Sequence, residues 1–302
     1  MKSNHLRQKP KSEEERFAQR LQQVKNTYLI GADEKNLAPR ITAKSWIIVD
    51  SQSGDILYSF NENQRREIAS ITKIMTFYVV LHMCRTMNVQ TNNTYAEVSL
   101  QASLVGGTTA DLLKGDVISI EDLFYGLMLP SGNDAAMTLA ENFGIYAMYQ
   151  NKIKGKNPLI YFIQEMNNKA RELQMTQTTY ANPHGLNNKN NVSSAHDVSK
   201  LCNQLLKDEF FRKVVNTKIH FSTIQDEEGF TRDVIWENTN KLLYQGFKGI
   251  KTGNTSVAGP CLASYYQTAS RSFTIVILGC RNQEDRWSET MQLLQWCLSQ
   301  IQ

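Results

Sequence analysis

The sequence has no long apolar run and no strong excess of one charge. Its 302 residues include 33 Lys and Arg against 29 Asp and Glu, a formal net charge of +4. No basic segment alternates with aromatic residues, so we expect no nucleic-acid partner. No stretch reaches the roughly 20 apolar residues that a membrane helix needs, so we expect no membrane segment. The 41% of hydrophobic residues is enough for a core in one large domain or two small ones.

Cysteine and histidine are scarce, and neither is spaced as in a metal site. The chain has five of each, and this pattern predicts neither a metal nor a cofactor. Most of the cysteines stand in apolar sequence, which favours small buried thiols in a reducing compartment. They are Cys84, Cys202, Cys261, Cys280 and Cys297.

The N-terminus is polar and lacks the apolar h-region of a secretory signal. The acidic run at residues 13–15 is also unlike a mitochondrial transit peptide. From these features we expect a cytoplasmic or organellar protein rather than an exported one.

The first part of the chain predicts a helical arm over residues 1–42. Ser12 and Glu15 form a capping-box pattern, and the helix that follows, over residues 13–29, has apolar residues near one face. Such an arm either packs on its own domain or docks a protein partner, and the pattern leaves both alternatives open.

The remaining sequence predicts strands at both ends and helices between them. Residues 45–50 and 56–60 read as a hairpin with its turn at residues 53–55. Residues 63–207 are mainly helical in pattern, and strands return from Val234 onward. We therefore predict an α+β fold in which a mixed or antiparallel sheet is flanked by helices, with a helical lobe inserted and the site in the cleft between.

Three short motifs, far apart in the sequence, contain the residues of a serine acyl-transfer site. Ser70 and Lys73 form Ser-x-x-Lys, a spacing that puts a hydroxyl and an amine one helical turn apart on the same face. A plain serine is a poor nucleophile, and Lys73 could take its proton if burial or a nearby cation lowered its pKa. The other two motifs are Ser131-Gly132-Asn133 and Lys251-Thr252-Gly253. Each motif is common alone, but the ordered set is specific.

This set, with its flanks, resembles the D-alanyl-D-alanine carboxypeptidases of peptidase family S11, the low-molecular-mass penicillin-binding proteins. The superfamily is that of serine β-lactamases and transpeptidases. The likeness runs from about Ala43 to the C-terminus, which implies a catalytic domain over residues 43–302. The segments that carry it are Ala43-Lys44-Ser45-Trp46, Ile71-Thr72-Lys73-Ile74-Met75-Thr76, Leu127-Met128-Leu129-Pro130-Ser131-Gly132-Asn133-Asp134-Ala135-Ala136, Ala181-Asn182-Pro183-His184-Gly185-Leu186 and Gly249-Ile250-Lys251-Thr252-Gly253-Asn254-Thr255.

The resemblance implies a role for each motif residue. Ser70 is the nucleophile and Lys73 its base, while Ser131 bridges Lys73 and the leaving group. The residues expected to bind substrate are Asn133, Lys251, Thr252, Gly253, Asn254 and Arg286. Backbone N–H groups of Ser70 and Asn254 should form the oxyanion hole.

Arg286 and His184 each have two possible interpretations. Arg286 lies where the family often has a carboxylate-binding arginine, but an exposed arginine at a helix start fits equally well. His184 is a conceivable base, yet the family uses lysine, so we expect its segment to form a structural loop beside the cleft.

The expected reaction is cleavage of the amide before a C-terminal D-alanine through a Ser70 acyl-enzyme, with β-lactams as covalent inhibitors. No counterpart of the class A deacylating glutamate is found, which favours slow release over β-lactamase turnover. Two alternatives stay open. The chain could be an idle carboxypeptidase fold serving as a scaffold in a larger intracellular assembly, or a related esterase or peptidase acting on an intracellular substrate.

Overall fold

A computed structural model of the protein describes residues 37–301. The predicted helix over residues 13–29 lies outside this range, and so does most of the predicted arm. The division into an arm and a domain therefore stays a prediction.

The described chain has eleven strands and eight α-helices. The strands are β1 (Ser45–Asp50), β2 (Ile56–Phe60), β3 (Arg66–Glu67), β4 (Tyr95–Glu97), β5 (Val117–Ser119), β6 (Val192–Ser193), β7 (Ile219–Gln225), β8 (Thr231–Glu237), β9 (Ile250–Gly253), β10 (Cys261–Gln267) and β11 (Ser272–Leu278). The helices are α1 (Lys73–Thr86), α2 (Leu100–Ser103), α3 (Ile120–Met128), α4 (Asn133–Gln150), α5 (Pro158–Glu172), α6 (Ala195–Leu205), α7 (Glu209–Asn216) and α8 (Asp285–Gln300).

The main sheet joins the two ends of the described chain. Its strand order is β2-β1-β11-β10-β9, and every pairing in it is antiparallel. The predicted fold class, with first and last strands in one sheet and the helical part inserted, is confirmed. β9, which contains Lys251 and Thr252, is an edge strand, so one of its sides is open toward the helical part.

Alternate residues of β1 enter two cores on opposite faces of the main sheet. Ile47 and Val49 join the core shared with the helical lobe, whereas Trp46 and Ile48 pack with Trp287 of α8. Because successive strand side chains point to opposite faces, one apolar strand fills both layers. The sheet is therefore flanked by helices on both sides, as predicted.

Helix α1 is buried on nearly all sides, which fixes the position of its first residues. Phe77 lies with its ring centroid 4.2 Å from that of Phe124 and 5.0 Å from that of Phe211. A helix that is apolar all round belongs in a core. Aromatic pairs in this distance range add about 0.5–1.5 kcal/mol beyond their buried area. Packing of this kind holds the start of α1 steady.

A second sheet was missed by the sequence analysis. Its strand order is β4-β5-β7-β8, and β4 and β5 lie within the region predicted to be mainly helical. These two strands have three residues each, which is too short to show a period of two. In the β7–β8 hairpin the pattern misleads, because Phe221 and Ile235 are exposed while Ser222 is buried.

Candidate active site

Ser70 lies in a single 3-10 turn, Ala69–Thr72, that leads directly into α1. Ala69 has φ +49°, a left-handed conformation that costs a non-glycine residue free energy. Gly185 packs against this turn with φ +91°, and a Cβ there would lie 2.0 Å from the Ala69 carbonyl oxygen. Only glycine fits such a contact. The loop around residue 185 therefore shapes the turn that presents Ser70.

Lys73 is the first residue of α1 and its side chain is fully buried. Its Nζ donates to Ser70 Oγ at 3.1 Å, to Asn133 Oδ1 at 2.6 Å and to the His184 carbonyl oxygen at 2.8 Å. Burial lowers the pKa of Lys73 well below its ordinary value, and the nearby charge of Lys251 lowers it further. A neutral amine in this position can accept the Ser70 proton.

Ser131 and Asn133 stand at the start of α4, beside Lys73. Ser131 has φ +66°, and its buried Oγ has no hydrogen-bond partner among the described residues. The bridge from Ser131 to Lys73 expected from the sequence is thus not formed as a hydrogen bond here. The Asn133 side chain is engaged at both ends, since Oδ1 accepts from Lys73 and Nδ2 donates to the Gly106 carbonyl oxygen at 2.6 Å.

The third motif lies on β9, on the sheet side of the site. The Lys251 side chain is 1% exposed, and its Nζ donates to the Thr252 carbonyl oxygen at 3.2 Å. Burial, aided by the charge of Arg286, lowers the pKa of Lys251 to about 7. The Thr252 hydroxyl is 2.8 Å from that of Thr239, and either can be the donor. Asn254 follows the strand and is exposed.

Gly253, which was expected among the substrate-binding residues, lies against the turn that carries Ser70. A Cβ at this position would lie 2.9 Å from the Ile68 carbonyl oxygen and 3.2 Å from the Ile71 nitrogen. The missing side chain therefore lets β9 approach the turn that carries Ser70. This contact joins the sheet to the helical lobe at the site.

Arg286 is the second residue of α8 and is 9% exposed, so the exposed alternative for this residue is wrong. Its guanidinium lies 4.4 Å from the ring centroid of Trp287, and Nη1 donates to the Gly253 carbonyl oxygen at 3.3 Å. The Nε atom is buried without a partner among the described residues. Arg286 is therefore directed at the end of β9.

The family profile of D-alanyl-D-alanine carboxypeptidases matches residues 32–282. The chain belongs to this family. The match covers most of the 302 residues, and it includes all three motifs described above, although it ends just before Arg286. The resemblance predicted from the sequence is confirmed.

Several members of the carboxypeptidase family are similar over most of this chain. The D-alanyl-D-alanine carboxypeptidase DacF of Bacillus subtilis (strain 168) is 29% identical over 86% of this chain and 63% of its own length. The D-alanyl-D-alanine carboxypeptidase of Streptomyces sp. (strain K15) is 31% identical over 85% of this chain and 88% of its own. The chain thus spans less than two thirds of the Bacillus relative.

Solved structures give the same family picture. The crystal structure of the Streptomyces K15 DD-transpeptidase superposes with a TM-score of 0.80 at 29% identity, covering 87% of this chain and 99% of that one. The D-alanyl-D-alanine carboxypeptidase DacD from Francisella tularensis superposes with a TM-score of 0.76 at 26% identity, covering 90% of this chain and 74% of that one.

One contribution to the site was not foreseen from the sequence. The loop around His184 was expected to be a structural neighbour, but its backbone carbonyl is a direct acceptor for Lys73. The His184 ring accepts from the Leu186 N–H through Nδ1 at 3.1 Å, and burial and the charge of Lys73 lower its pKa to about 4. The ring is therefore neutral. Backbone groups carry no residue signature, so the motif alone could not reveal this role.

Residues 37–301 contain neither a candidate metal site nor a candidate membrane helix. No group of three or more His, Cys, Asp or Glu side chains is placed there to hold a metal ion. No helix in the same range has the length and apolar character needed to span a membrane.

Proposed function

We propose that this chain is a serine D-alanyl-D-alanine carboxypeptidase that works through an acyl-enzyme on Ser70. The observation that carries the proposal is the buried Lys73 amine, 3.1 Å from Ser70 Oγ, with a pKa lowered by burial and by Lys251. A serine and an adjacent base within hydrogen-bond reach are the requirement for an activated nucleophile. The membership of the family and the names of its relatives support the same reaction.

The acylation step uses the neutral amine of Lys73. Ser70 Oγ attacks the carbonyl carbon of the penultimate D-alanine while Lys73 takes the hydroxyl proton. Backbone N–H groups of Ser70 and Asn254 are proposed to stabilise the oxyanion, worth about 3–4 kcal/mol for one such donor. When the tetrahedral intermediate collapses, the amide C–N bond breaks and the leaving amine receives the proton from Lys73. D-alanine departs and the peptide stays as an ester on Ser70.

Ser131 is proposed to relay that proton, since its buried hydroxyl has no hydrogen-bond partner within residues 37–301. Its hydroxyl can rotate to accept from Lys73 and donate to the leaving nitrogen. In deacylation, water attacks the ester carbon, gives a proton to Lys73 and releases the shortened peptide with Ser70 restored. An amine in place of water would give transpeptidation by the same steps.

The terminal carboxylate of the substrate is proposed to bind between β9 and α8. Lys251 and Thr252 supply a cation and a hydroxyl, and the Nε of Arg286 is a nearby donor without a partner in the described part of the chain. Charge-assisted hydrogen bonds to a carboxylate are about twice as strong as neutral ones. Asn133 and Gly253 shape the cleft through their contacts with Lys73 and the Ser70 turn, and Asn133 remains the proposed partner of the substrate amide.

A fluorescent penicillin tests the proposal directly, because a β-lactam should acylate the same serine. We expect a covalent adduct by mass spectrometry on the wild type and none on Ser70→Ala. The matched control is Ser270→Ala, an exposed serine in the turn between β10 and β11, which should label normally. A peptide ending in D-Ala-D-Ala should release D-alanine with wild type and not with Ser70→Ala.

The outcome against the proposal is equally clear. A folded wild-type protein that neither reacts with the penicillin nor releases D-alanine would exclude carboxypeptidase activity and favour the scaffold alternative. Labelling that survives in Ser70→Ala would exclude this nucleophile.

The compartment and the protein partner of the arm stay predictions. Five free and buried cysteines support our proposal of a reducing intracellular location, which fractionation of cells would contradict by finding the protein in an exported fraction. Deletion of residues 1–36 should leave penicillin labelling intact if the arm serves only a partner.

A further inference from the structure

Asp134, directly after Asn133, is a buried carboxylate that is satisfied entirely by hydrogen bonds. It is 1% exposed and has no ion pair among the described residues. It lies in the first turn of α4, where the helix dipole favours a negative charge. Its donors are Thr109 Oγ1 at 2.6 Å, Ala110 N at 2.9 Å, Leu112 N at 3.1 Å and Ala135 N at 2.8 Å. Apart from Ala135, these donors belong to the loop at residues 106–112.

The same loop holds the second motif from the other side. Thr108 Oγ1 donates to the Ser131 carbonyl oxygen at 2.6 Å, and the Asn133 N–H donates to the Thr108 carbonyl oxygen at 2.8 Å. Asn133 Nδ2 donates to the Gly106 carbonyl oxygen. A Cβ at Gly107 would lie 2.6 Å from that same Asn133 nitrogen. The loop therefore clamps the backbone of Ser131 and both the backbone and the side chain of Asn133.

This clamp is required because the motif is held in an unfavourable conformation. Ser131 keeps φ +66°, and such left-handed non-glycine residues persist only where the surroundings over-determine them. Asn133 Oδ1 then accepts the shortest of the Lys73 hydrogen bonds. A continuous chain of contacts runs from the Asp134 carboxylate through the loop to Asn133 and on to the Lys73 amine.

We propose that Asp134 is a positioning residue, which fixes the loop at residues 106–112 against α4 and thereby orients Ser131 and Asn133 around Lys73. This inference rests on the proposed function, and it assigns Asp134 no contact with substrate. The carboxylate also acts on the base through its charge, because Asp134 raises the pKa of Lys73 against the lowering by burial and by Lys251.

A second buried aspartate offers a matched control. Asp197 in the first turn of α6 is also 1% exposed, and its carboxylate likewise accepts from a loop. It takes hydrogen bonds from the Gln177 N–H at 2.7 Å and from Thr178 Oγ1 at 2.8 Å. Neither donor is a proposed site residue. Loss of Asp197 should therefore weaken the fold without moving Lys73.

The experiment compares acylation by a fluorescent penicillin across pH in the full-length protein. For Asp134→Asn we expect the second-order rate constant at the optimum to fall about 100-fold, the usual size for misplaced catalytic groups. The acid limb of the profile should also move to lower pH, since the pKa of Lys73 falls without the aspartate charge. Asp197→Asn should lower the melting temperature but keep the acylation rate and the acid limb of the wild type.

Thr109 gives a second test in case Asp134→Asn does not fold. Thr109→Val removes the hydroxyl that donates to Asp134 and should slow acylation about tenfold, the scale of one lost hydrogen bond to a charged group. Thr109→Ser keeps the hydroxyl and should restore the wild-type rate. The corresponding Thr178→Val at the control site should not change acylation.

Two results would overturn the inference while leaving the proposed function intact. In the first, the wild type is labelled, and Asp134→Asn or Thr109→Val is acylated at the wild-type rate with the same acid limb of the pH profile. The other is an equal loss of acylation in Asp134→Asn and Asp197→Asn, which would make the effect one of folding alone. A wild type that does not label would instead defeat the proposed function, and this inference with it.

Discussion

Two buried lysines reach the site, one from a helix and one from the main sheet, and they are held in different ways. Lys73, at the start of α1, donates to three acceptors in the helical part. Lys251, on β9, donates to one acceptor among the described residues, the carbonyl oxygen of Thr252, at 3.2 Å. Burial is the largest cause of a lowered pKa for both. The environments differ mainly in how many donors they leave unused.

That difference separates a base from a binding cation. A base must hold its nitrogen in place with a lone pair toward the proton that it accepts. When Lys73 is neutral, its two N–H groups can donate to Asn133 Oδ1 and the His184 carbonyl oxygen, which leaves the lone pair for the Ser70 proton. A binding cation needs free donors for an incoming anion, and Lys251 keeps them in a place where Arg286 adds a second positive charge. We therefore expect substitutions of the two lysines to reduce activity in different assays.

The largest effect is expected at Lys73. Lys73→Met and Lys73→Arg should both slow acylation by about 1000-fold or more, because general base catalysis contributes 10²- to 10⁴-fold. Lys73→Arg places a permanent positive charge at this position and cannot deprotonate, so it separates the role of base from that of cation. Stopped-flow labelling with a fluorescent penicillin measures the rate, and melting temperatures show whether the variants fold. An Lys73→Arg variant within tenfold of wild type would remove Lys73 from the role of base.

A smaller and more selective effect is expected at Lys251. With Lys251→Gln, kcat/KM for a peptide ending in D-Ala-D-Ala should fall about 10- to 100-fold, the value of one or two hydrogen bonds to a charged group. The same peptide with a C-terminal amide should be affected much less, whereas Lys73→Met should harm both substrates alike. Release of D-alanine and of D-alanine amide measures the two rates.

The control for Lys251 is Lys248→Gln, an exposed lysine on the same segment whose Nζ donates to Gln267 at 3.1 Å. It should change neither rate. If Lys251→Gln loses the same factor on the acid and on the amide, Lys251 does not read the terminal carboxylate and the contrast between the two lysines fails.

The features that could be predicted from the sequence are those that depend on side-chain identity or on a local sequence pattern. The β1–β2 hairpin follows from two short apolar segments around a Ser-Gly-Asp turn, and the strands predicted from Val234 onward include β9, β10 and β11. Ser70, Lys73, Asn133 and Lys251 were predicted because three motifs in this order resemble those of the carboxypeptidase family, and in the structure Lys73 Nζ lies within hydrogen-bond distance of Ser70 and Asn133.

What could not be foreseen depends on long-range contacts or on backbone groups. The His184 carbonyl that accepts from Lys73 has no residue signature, and the clamp on Ser131 is built from a loop more than twenty positions earlier. Strand β7 was missed because exposed Phe221 and buried Ser222 invert the expected pattern, whereas the strands predicted from Val234 onward include the second half of β8. The periodicity of apolar residues predicts which side chains are buried only where buried residues are apolar and exposed residues are polar.

The smallest effect concerns stability and also separates Lys251 from its exposed neighbours. An unfolded lysine has a pKa of about 10.4, whereas burial and Arg286 lower the pKa of Lys251 in the folded protein to about 7. Between these values the unfolded chain binds a proton that the folded protein lacks, so the free energy of unfolding rises with pH. Below pH 7 both forms bind the proton and this dependence ends.

Lys251→Met should remove that rise, because methionine fills a similar volume without a titrating group. From pH 7 to pH 8, urea unfolding of the wild type should gain about 1 kcal/mol more stability than the variant does, since one pKa unit corresponds to about 1.4 kcal/mol. Lys248→Met, at an exposed position, should follow the wild type. Parallel curves of unfolding free energy against pH for wild type and Lys251→Met would mean that Lys251 keeps its proton in the folded protein. Lys251 would then carry the positive charge that we assign to carboxylate binding over the whole neutral pH range.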